Sequence, residues 1–300
     1  MVTASPDAMP EGRYLDLGGL RLHYRDEGAG DPVVMLHGNP SWSYYYRGLI
    51  ETLAGRFRCI APDHIGMGLS DKPGDDRYEY TLSRRADDLE ALLDGIGVKS
   101  GVTLVLHDWG GMIGMAYATR HPERIGRIVV MNTAAFLMPR GKLLPWQLKL
   151  GRDSMLGAFL IRGLNAFARG AARLCVTKAP MPPRVRDAYL APYDSWANRI
   201  ATLRFVQDIP LSPRDKAYPV VKGVQDNLHR FASLPMLICW GMRDFVFDEP
   251  FLREWEARFP AAEVHRFADA GHYVLEDEGP AVAALALDFL RRHPLAASPS

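Results

Sequence analysis

Cysteine is scarce in this chain: three residues in 300, Cys59, Cys175 and Cys239, with no C-x-x-C spacing. An odd, scattered set offers neither a disulfide framework nor a structural zinc site, and it fits a reduced, cytoplasmic setting. Each cysteine lies in an apolar stretch, where its ordinary role is that of a small buried hydrophobe. Net charge is missing too, with 36 Lys and Arg against 35 Asp and Glu. That balance lacks the long-range attraction to phosphate that a nucleic-acid binder needs. No uninterrupted apolar run reaches the length of about 18 residues that suggests a membrane span, and Met1-Val-Thr-Ala-Ser-Pro-Asp7 lacks the basic-then-apolar pattern of a secretory signal. The glycine-containing stretch Ala61-Pro-Asp-His-Ile-Gly-Met-Gly-Leu-Ser70 has no P-loop lysine and reads as a structural turn. No transmembrane segment, nucleic acid, cofactor or metal is expected, and a small or neutral substrate fits best.

What the chain does have is apolar residues, 48% of the total, enough for a sizeable core. Short runs bounded by turn residues, Pro32–Leu36, Arg58–Ala61, Val102–Leu106 and Arg127–Met131, read as buried strands. Between them Trp42–Ala54, Leu82–Ile96 and Met112–Arg120 carry helical spacing. The alternation implies an α/β fold with a mainly parallel sheet covered by helices on both faces. Strands resume at Leu234–Trp240 and Glu263–Phe267, with a helical stretch around Arg253–Phe259 and a closing helix near Pro280–Arg292. The intervening segment shows helical patterns only, broken by Pro180-Met-Pro-Pro183 and Leu211-Ser-Pro213. The expected organisation is a core from residues 1–133 and 230–300 with a helical cap, 134–229, inserted between them. Within the cap, Met155 to Leu174 is strongly apolar but interrupted by Arg162, Arg169 and Arg173, which favours a helix packed on the core over one lying on a membrane. The tail 296–300 is expected to fray.

The strongest local signal is Val102-Thr-Leu-Val-Leu-His-Asp-Trp-Gly-Gly111, an apolar strand entering a polar residue, two glycines and a helix. This is the pattern of a nucleophile elbow, in which a tight turn lifts one side chain from the sheet and aims helix N–H groups at the reacting atom. Asp108 stands where serine is usual, and Leu106 stands where the first glycine of G-x-S-x-G is usual. A carboxylate is already ionised at neutral pH and needs no base to make it a nucleophile. Taken alone, Asp108 could instead cap the helix that follows, the lesser of the two readings.

Two further motifs weigh against that plain role. Ala268-Asp-Ala-Gly-His-Tyr-Val-Leu-Glu276 puts His272 in a loop after a strand, where this fold places its base, and Leu237-Ile-Cys-Trp-Gly-Met-Arg-Asp-Phe245 puts Asp244 after a strand and a glycine, where it could orient the ring of His272. The order nucleophile, acid, histidine is that of α/β-hydrolases. Asp248 competes for the acid role but is spaced less well from Gly241, and Asn132 is neutral. Val33-Val-Met-Leu-His-Gly-Asn-Pro40 supplies the opposite wall, where the amide of Asn39 and the indole N–H of Trp109 could hold an anionic leaving group. His37 reads as structural.

These residues resemble the haloalkane dehalogenase group of α/β-hydrolases, through His37-Gly-Asn-Pro40, Asp63-His-Ile-Gly-Met-Gly68, His107-Asp-Trp-Gly-Gly111, Trp240-Gly-Met-Arg-Asp244 and Gly271-His272. Within that group Asn39 with Asp244, together with Asp187–Tyr193 and Met131–Phe136, looks most like the β-lactone decarboxylases of long-chain olefin biosynthesis. The resemblance implies a cis-β-lactone substrate with long alkyl chains, a cis-alkene and CO2 as products, and assembly with the β-lactone synthetase and reductase of the same pathway. It leaves open whether Asp108 attacks the ring carbon or the carbonyl. Hydrolytic dehalogenation uses the same residues and would be favoured by a second tryptophan donor, Trp146 or Trp196. Epoxide hydrolysis, with Tyr189, Tyr193 or Tyr218 as acid, and a catalytically silent scaffold are the weaker alternatives.

Overall fold

The apolar runs form the middle of one eight-stranded sheet. The structure, a computed structural model, describes residues 12–295; the opening segment read for a signal and the tail 296–300 lie outside the described residues. Its strands are β1 Arg13–Asp16, β2 Arg21–Glu27, β3 Pro32–Leu36, β4 Arg58–Pro62, β5 Val102–Asp108, β6 Ile125–Thr133, β7 Met236–Gly241 and β8 Glu263–Phe267. They lie in the order β1-β2-β4-β3-β5-β6-β7-β8. From β4 to β8 every pairing is parallel, whereas β1 and β2 run antiparallel to each other and β2 runs antiparallel to β4.

The strands β1 and β2 have no counterpart among the runs picked out of the sequence, and they correct that reading. Charged and polar positions dominate both, and every residue of β1 is at least partly exposed. An edge ribbon of this kind carries little of the apolar signal that marks a central strand.

Helices α1 Arg47–Leu53, α2 Leu82–Gly95 and α3 Trp109–Arg120 alternate with strands β3 to β6. The chain then makes only helices until β7: α4 Trp146–Asp153, α5 Met155–Leu164, α6 Ala166–Leu174, α7 Pro183–Leu190, α8 Ile200–Gln207 and α9 Tyr218–Asn227, with short 3-10 turns. Of these, α9 packs on α3. After β7 come α10 Glu249–Arg258, α11 Val274–Asp277 and α12 Gly279–Arg292. Strand periodicity distributes the core between the two faces: Val34, Leu36, Leu104 and Leu106 join Ile113, Val221 and Trp255 on one side, and Val33, Met35 and Val105 join Leu49, Leu53 and Phe289 on the other. Every residue of β5 is buried, so its carboxyl end opens at the centre of the molecule, where ligands bind in folds of this type.

Candidate active site

Asp108 is the last residue of β5 and immediately precedes α3, with φ 49° and ψ −126°. A non-glycine residue rarely occupies positive φ, and such strain persists only where its surroundings impose it. Thr133 provides one constraint, its hydroxyl donating to the Asp108 carbonyl. Gly38 leaves the side chain its room, since a Cβ there would lie 1.9 Å from Asp108 Oδ1. The backbone N–H of Asn39 donates to that same oxygen at 2.7 Å, and the N–H of Trp109, next in the chain, also favours the ionised carboxylate. Burial pushes the Asp108 carboxyl up; His272 and the two N–H groups pull it down, Asp244 adds to the rise, and it ends above its ordinary value.

His272 lies in the loop between β8 and α11. Its Nδ1 faces Asp244 Oδ2 at 2.7 Å and its Nε2 faces Asp108 Oδ2 at 3.6 Å. Burial works against protonation of the ring, but the charge of Asp244, its hydrogen bond and the charge of Asp108 outweigh it, so the histidine titrates above its ordinary value. The three residues are buried at 7%, 4% and 3% exposure for Asp108, His272 and Asp244. Asp248, the competing carboxylate, turns away and pairs with Lys142 at 2.6 Å.

Several supporting groups were invisible in the sequence. Asn132, read there only as unable to serve as the acid, donates from Nδ2 to Asp244 Oδ2 and to the Gly241 carbonyl, both at 3.0 Å, and accepts from the Gly241 N–H at 2.8 Å. With the Val246 N–H donating to Asp244 Oδ1 at 2.7 Å, the Asp244 carboxylate is held at both oxygens. His107 donates from Nε2 to the carbonyl of His272 at 2.8 Å, and burial holds it neutral by lowering its pKa well below the ordinary value. Asp277 accepts from the Gly271 N–H at 2.8 Å, anchoring the same loop. The only sequence signal for these contacts was adjacency to a motif. His37 is structural in the sense expected: Nδ1 donates to the Gly38 carbonyl and Nε2 accepts from the His64 N–H.

A match to the α/β-hydrolase fold spans residues 31–279. The chain belongs to the α/β-hydrolase family. Among its relatives, a cis-3-alkyl-4-alkyloxetan-2-one decarboxylase of Shewanella oneidensis is 57% identical over 88% of this chain and 83% of its own length. A second, from Xanthomonas campestris pv. campestris, is 50% identical over 92% of this chain and 94% of its own. A haloalkane dehalogenase of Mycobacterium marinum is 34% identical over 89% of this chain and 88% of its own. Among solved structures, a mutant haloalkane dehalogenase of Agrobacterium tumefaciens superposes with a TM-score of 0.86 at 25% identity, covering 97% of this chain and all of its own.

The hydrolase elbow opens into a cavity of about 330 Å³. Asn39, Asp108, Trp109 and His272 line its floor, and apolar side chains such as Phe136, Leu160, Ile161 and Phe167 make its walls. Asn39 departs from expectation in one respect: its Nδ2 donates to the carbonyl of Thr202 at 3.0 Å, so one of its two amide hydrogens is already used. Among the described residues no acceptor bonds the indole N–H of Trp109, whose ring packs against Phe205. Trp146 lines the cavity's outer part while Trp196 does not, and none of Tyr189, Tyr193 and Tyr218 lines it. Cys175 does line it, but burial raises its thiol far above the range in which it could act as a nucleophile.

Proposed function

We propose that this α/β-hydrolase is a β-lactone decarboxylase that converts a cis-β-lactone with long alkyl chains into a cis-alkene and CO2, with Asp108 as nucleophile, His272 as its charged partner and Asp244 as the acid that orients His272. One observation carries the choice of substrate: identity of 57% and 50% to relatives of that name, against 34% to a haloalkane dehalogenase, over comparable lengths. The apolar cavity supports it.

The contacts of Asp108 favour one of the two routes. Attack on the lactone carbonyl needs the N–H groups of Asn39 and Trp109 to receive the new oxyanion, but the Asn39 N–H is already bonded to the carboxylate itself. Attack by Oδ2 on the ring carbon that bears oxygen leaves that bond in place. The Oδ2–C bond forms as the ring C–O bond breaks, and the freed carboxylate moves towards the second amide hydrogen of Asn39 and the indole N–H of Trp109. The C–CO2 bond then breaks, its electron pair closes the alkene, and the Asp108 ester leaves as the carboxylate. Inversion followed by anti elimination preserves cis geometry, and neither water nor a proton is consumed. A protonated His272 stabilises the carboxylate as it departs.

In this reading residues 134–229 form a cap over a core of 1–133 and 230–300, and supply the walls around the alkyl chains. The enzyme is cytoplasmic and assembles with the β-lactone synthetase and reductase of the same pathway, so that an insoluble intermediate need not cross water.

Haloalkane dehalogenation is the second reading, favoured by the solved relatives and by Trp146 at the cavity. The deciding experiment incubates one enzyme stock separately with a long-chain cis-β-lactone and with 1-bromobutane, following alkene by gas chromatography and bromide by ion chromatography. Alkene formation far faster than bromide release is expected. Rapid bromide release with the lactone untouched would overturn the decarboxylase reading and leave Asp108 as nucleophile; no turnover of either would leave epoxide hydrolysis or a silent scaffold.

A further inference from the structure

The chain's near-zero net charge hides a strong local imbalance. Residues 140–187 hold ten Lys and Arg and two Asp, leaving an acidic excess in the rest of the chain. The same stretch contains α4, α5 and α6, which pack side by side, and it exposes large apolar side chains: Leu143 at 82%, Trp146 at 70% and Met155 at 91%, with Leu156, Phe159 and Leu174 each more than half exposed. Amphipathicity explains the inner face, where Gly157, Leu160 and Ile161 of α5 line the cavity. It does not explain Met155, Leu156 and Phe159 on the outer one, so packing on the core, which the sequence favoured over lying on a membrane, accounts for only one face of this stretch.

We infer that this face is a docking surface for an anionic lipid bilayer, on which α4–α6 lie with their outer apolar side chains among the acyl chains and their cations among the headgroups. Charge complementarity selects this occupant. Arg140, Lys149, Arg169 and Arg173 are exposed and have no ion-pair partner among the described residues. A protein partner would have to supply a matching acid for each of these cations on burying it, whereas apolar side chains interleaved with unpaired cations suit an anionic membrane surface without such matching. No helix among the described residues is long and apolar enough to cross a membrane, so the contact is peripheral. Trp146 and Leu174 are both exposed here and line the cavity. The active site therefore opens on the docking face, and a substrate with two alkyl chains can pass from the bilayer without entering water. That last step rests on the decarboxylase reading; the docking does not.

The test is co-sedimentation of the full chain with vesicles of phosphatidylglycerol and phosphatidylcholine in equal parts, and with phosphatidylcholine alone, at low and high salt. Two variants are compared, Met155→Glu with Phe159→Glu, and Lys149→Glu with Arg169→Glu and Arg173→Glu; none of these residues lines the cavity. Circular dichroism serves as the folding control. At least tenfold more wild-type protein should sediment with the anionic vesicles than with the neutral ones, falling away at high salt, and each variant should lose at least tenfold while keeping its dichroism. Binding to neither vesicle, or equal binding by wild type and both folded variants, overturns the proposal. So does a lipid-free dimer that the Met155→Glu, Phe159→Glu variant loses in sedimentation velocity, which would make the face a self-contact. Because sedimentation requires no turnover, a failure of the decarboxylase assay leaves this result standing by itself.

Discussion

Asp108 and His272 shift each other's titration, and the proposed chemistry makes use of both shifts. Asp108 reacts only when ionised, and burial places its pKa above the ordinary carboxylate value of about 3.9. Activity is therefore present above that raised pKa and lost as pH falls through it. His272 holds its proton to a higher pH than free imidazole, of pKa about 6.5. If its positive form stabilises departing Asp108, alkene formation declines as pH rises through the raised His272 value. If His272 is instead a base that activates water, the rate climbs over that same interval. A pH profile of kcat/KM on the lactone should show the decline, and a basic-side rise would refute the assigned role. The three proposed catalytic residues were legible because each stands at or shortly after the end of a strand with a glycine within three residues. The rest was not, because a hydrogen bond from Asn132 to Asp244 joins residues 112 positions apart, and no local pattern encodes it. Asn39 was legible as part of the site, but its bond to the Thr202 carbonyl depends on where a distant helix comes to rest.

At the scale of elements, Leu106 shows how a motif can lose a residue and keep its geometry. The glycine expected there normally gives the strand–helix turn its room. Here that room comes from the helix: a Cβ on Gly114 in α3 would lie 2.5 Å from Leu106 Cδ2. Gly114→Val should therefore overpack the β5–α3 contact and cost about 1–3 kcal/mol of stability, read as a lower urea midpoint with unchanged slope. Leu106→Ala in the same chain should recover part of the loss. If the two changes simply add, the contact does not explain the pair. The inner strands β3 to β7 were legible because burial on both faces leaves continuous apolar runs. The β1–β2 ribbon was not, since only Leu20, Leu22, His23 and Tyr24 of its stretch are buried and charged residues surround them.

For the whole molecule, the question is what the helices between β6 and β7 contribute to a site they do not build. Asp108, Asp244 and His272 all come from outside residues 134–229, whereas much of the cavity wall comes from within them. Seating the helices is thus a matter of substrate fit, and polar ties perform it: Asn39 to the Thr202 carbonyl, the Thr177 N–H to Asp277, and Glu276 to both Arg47 and the Tyr189 hydroxyl. The sequence showed that a helical insertion exists but could not show these ties, each of which spans many tens of residues. Glu276 is the strongest of them, its carboxylate meeting Arg47 through two nitrogens at 2.6 and 2.8 Å with little exposure on either side. Glu276→Gln keeps the shape and an acceptor for Tyr189 but removes the charge opposite Arg47. Breaking a fully buried pair costs about 3–5 kcal/mol; solvent at the arginine reduces this to roughly 1–3 kcal/mol, visible as a drop of several degrees in Tm. Arg47 is what fixes Glu276 beneath the Tyr189 hydroxyl, so α7 then seats less firmly while the proposed catalytic residues stay in place, and KM for a long-chain lactone should rise several-fold with kcat nearly unchanged. A fall in kcat at constant KM would mean that the insertion sets the geometry of Asp108 or His272, and that the division of labour between walls and chemistry is wrong.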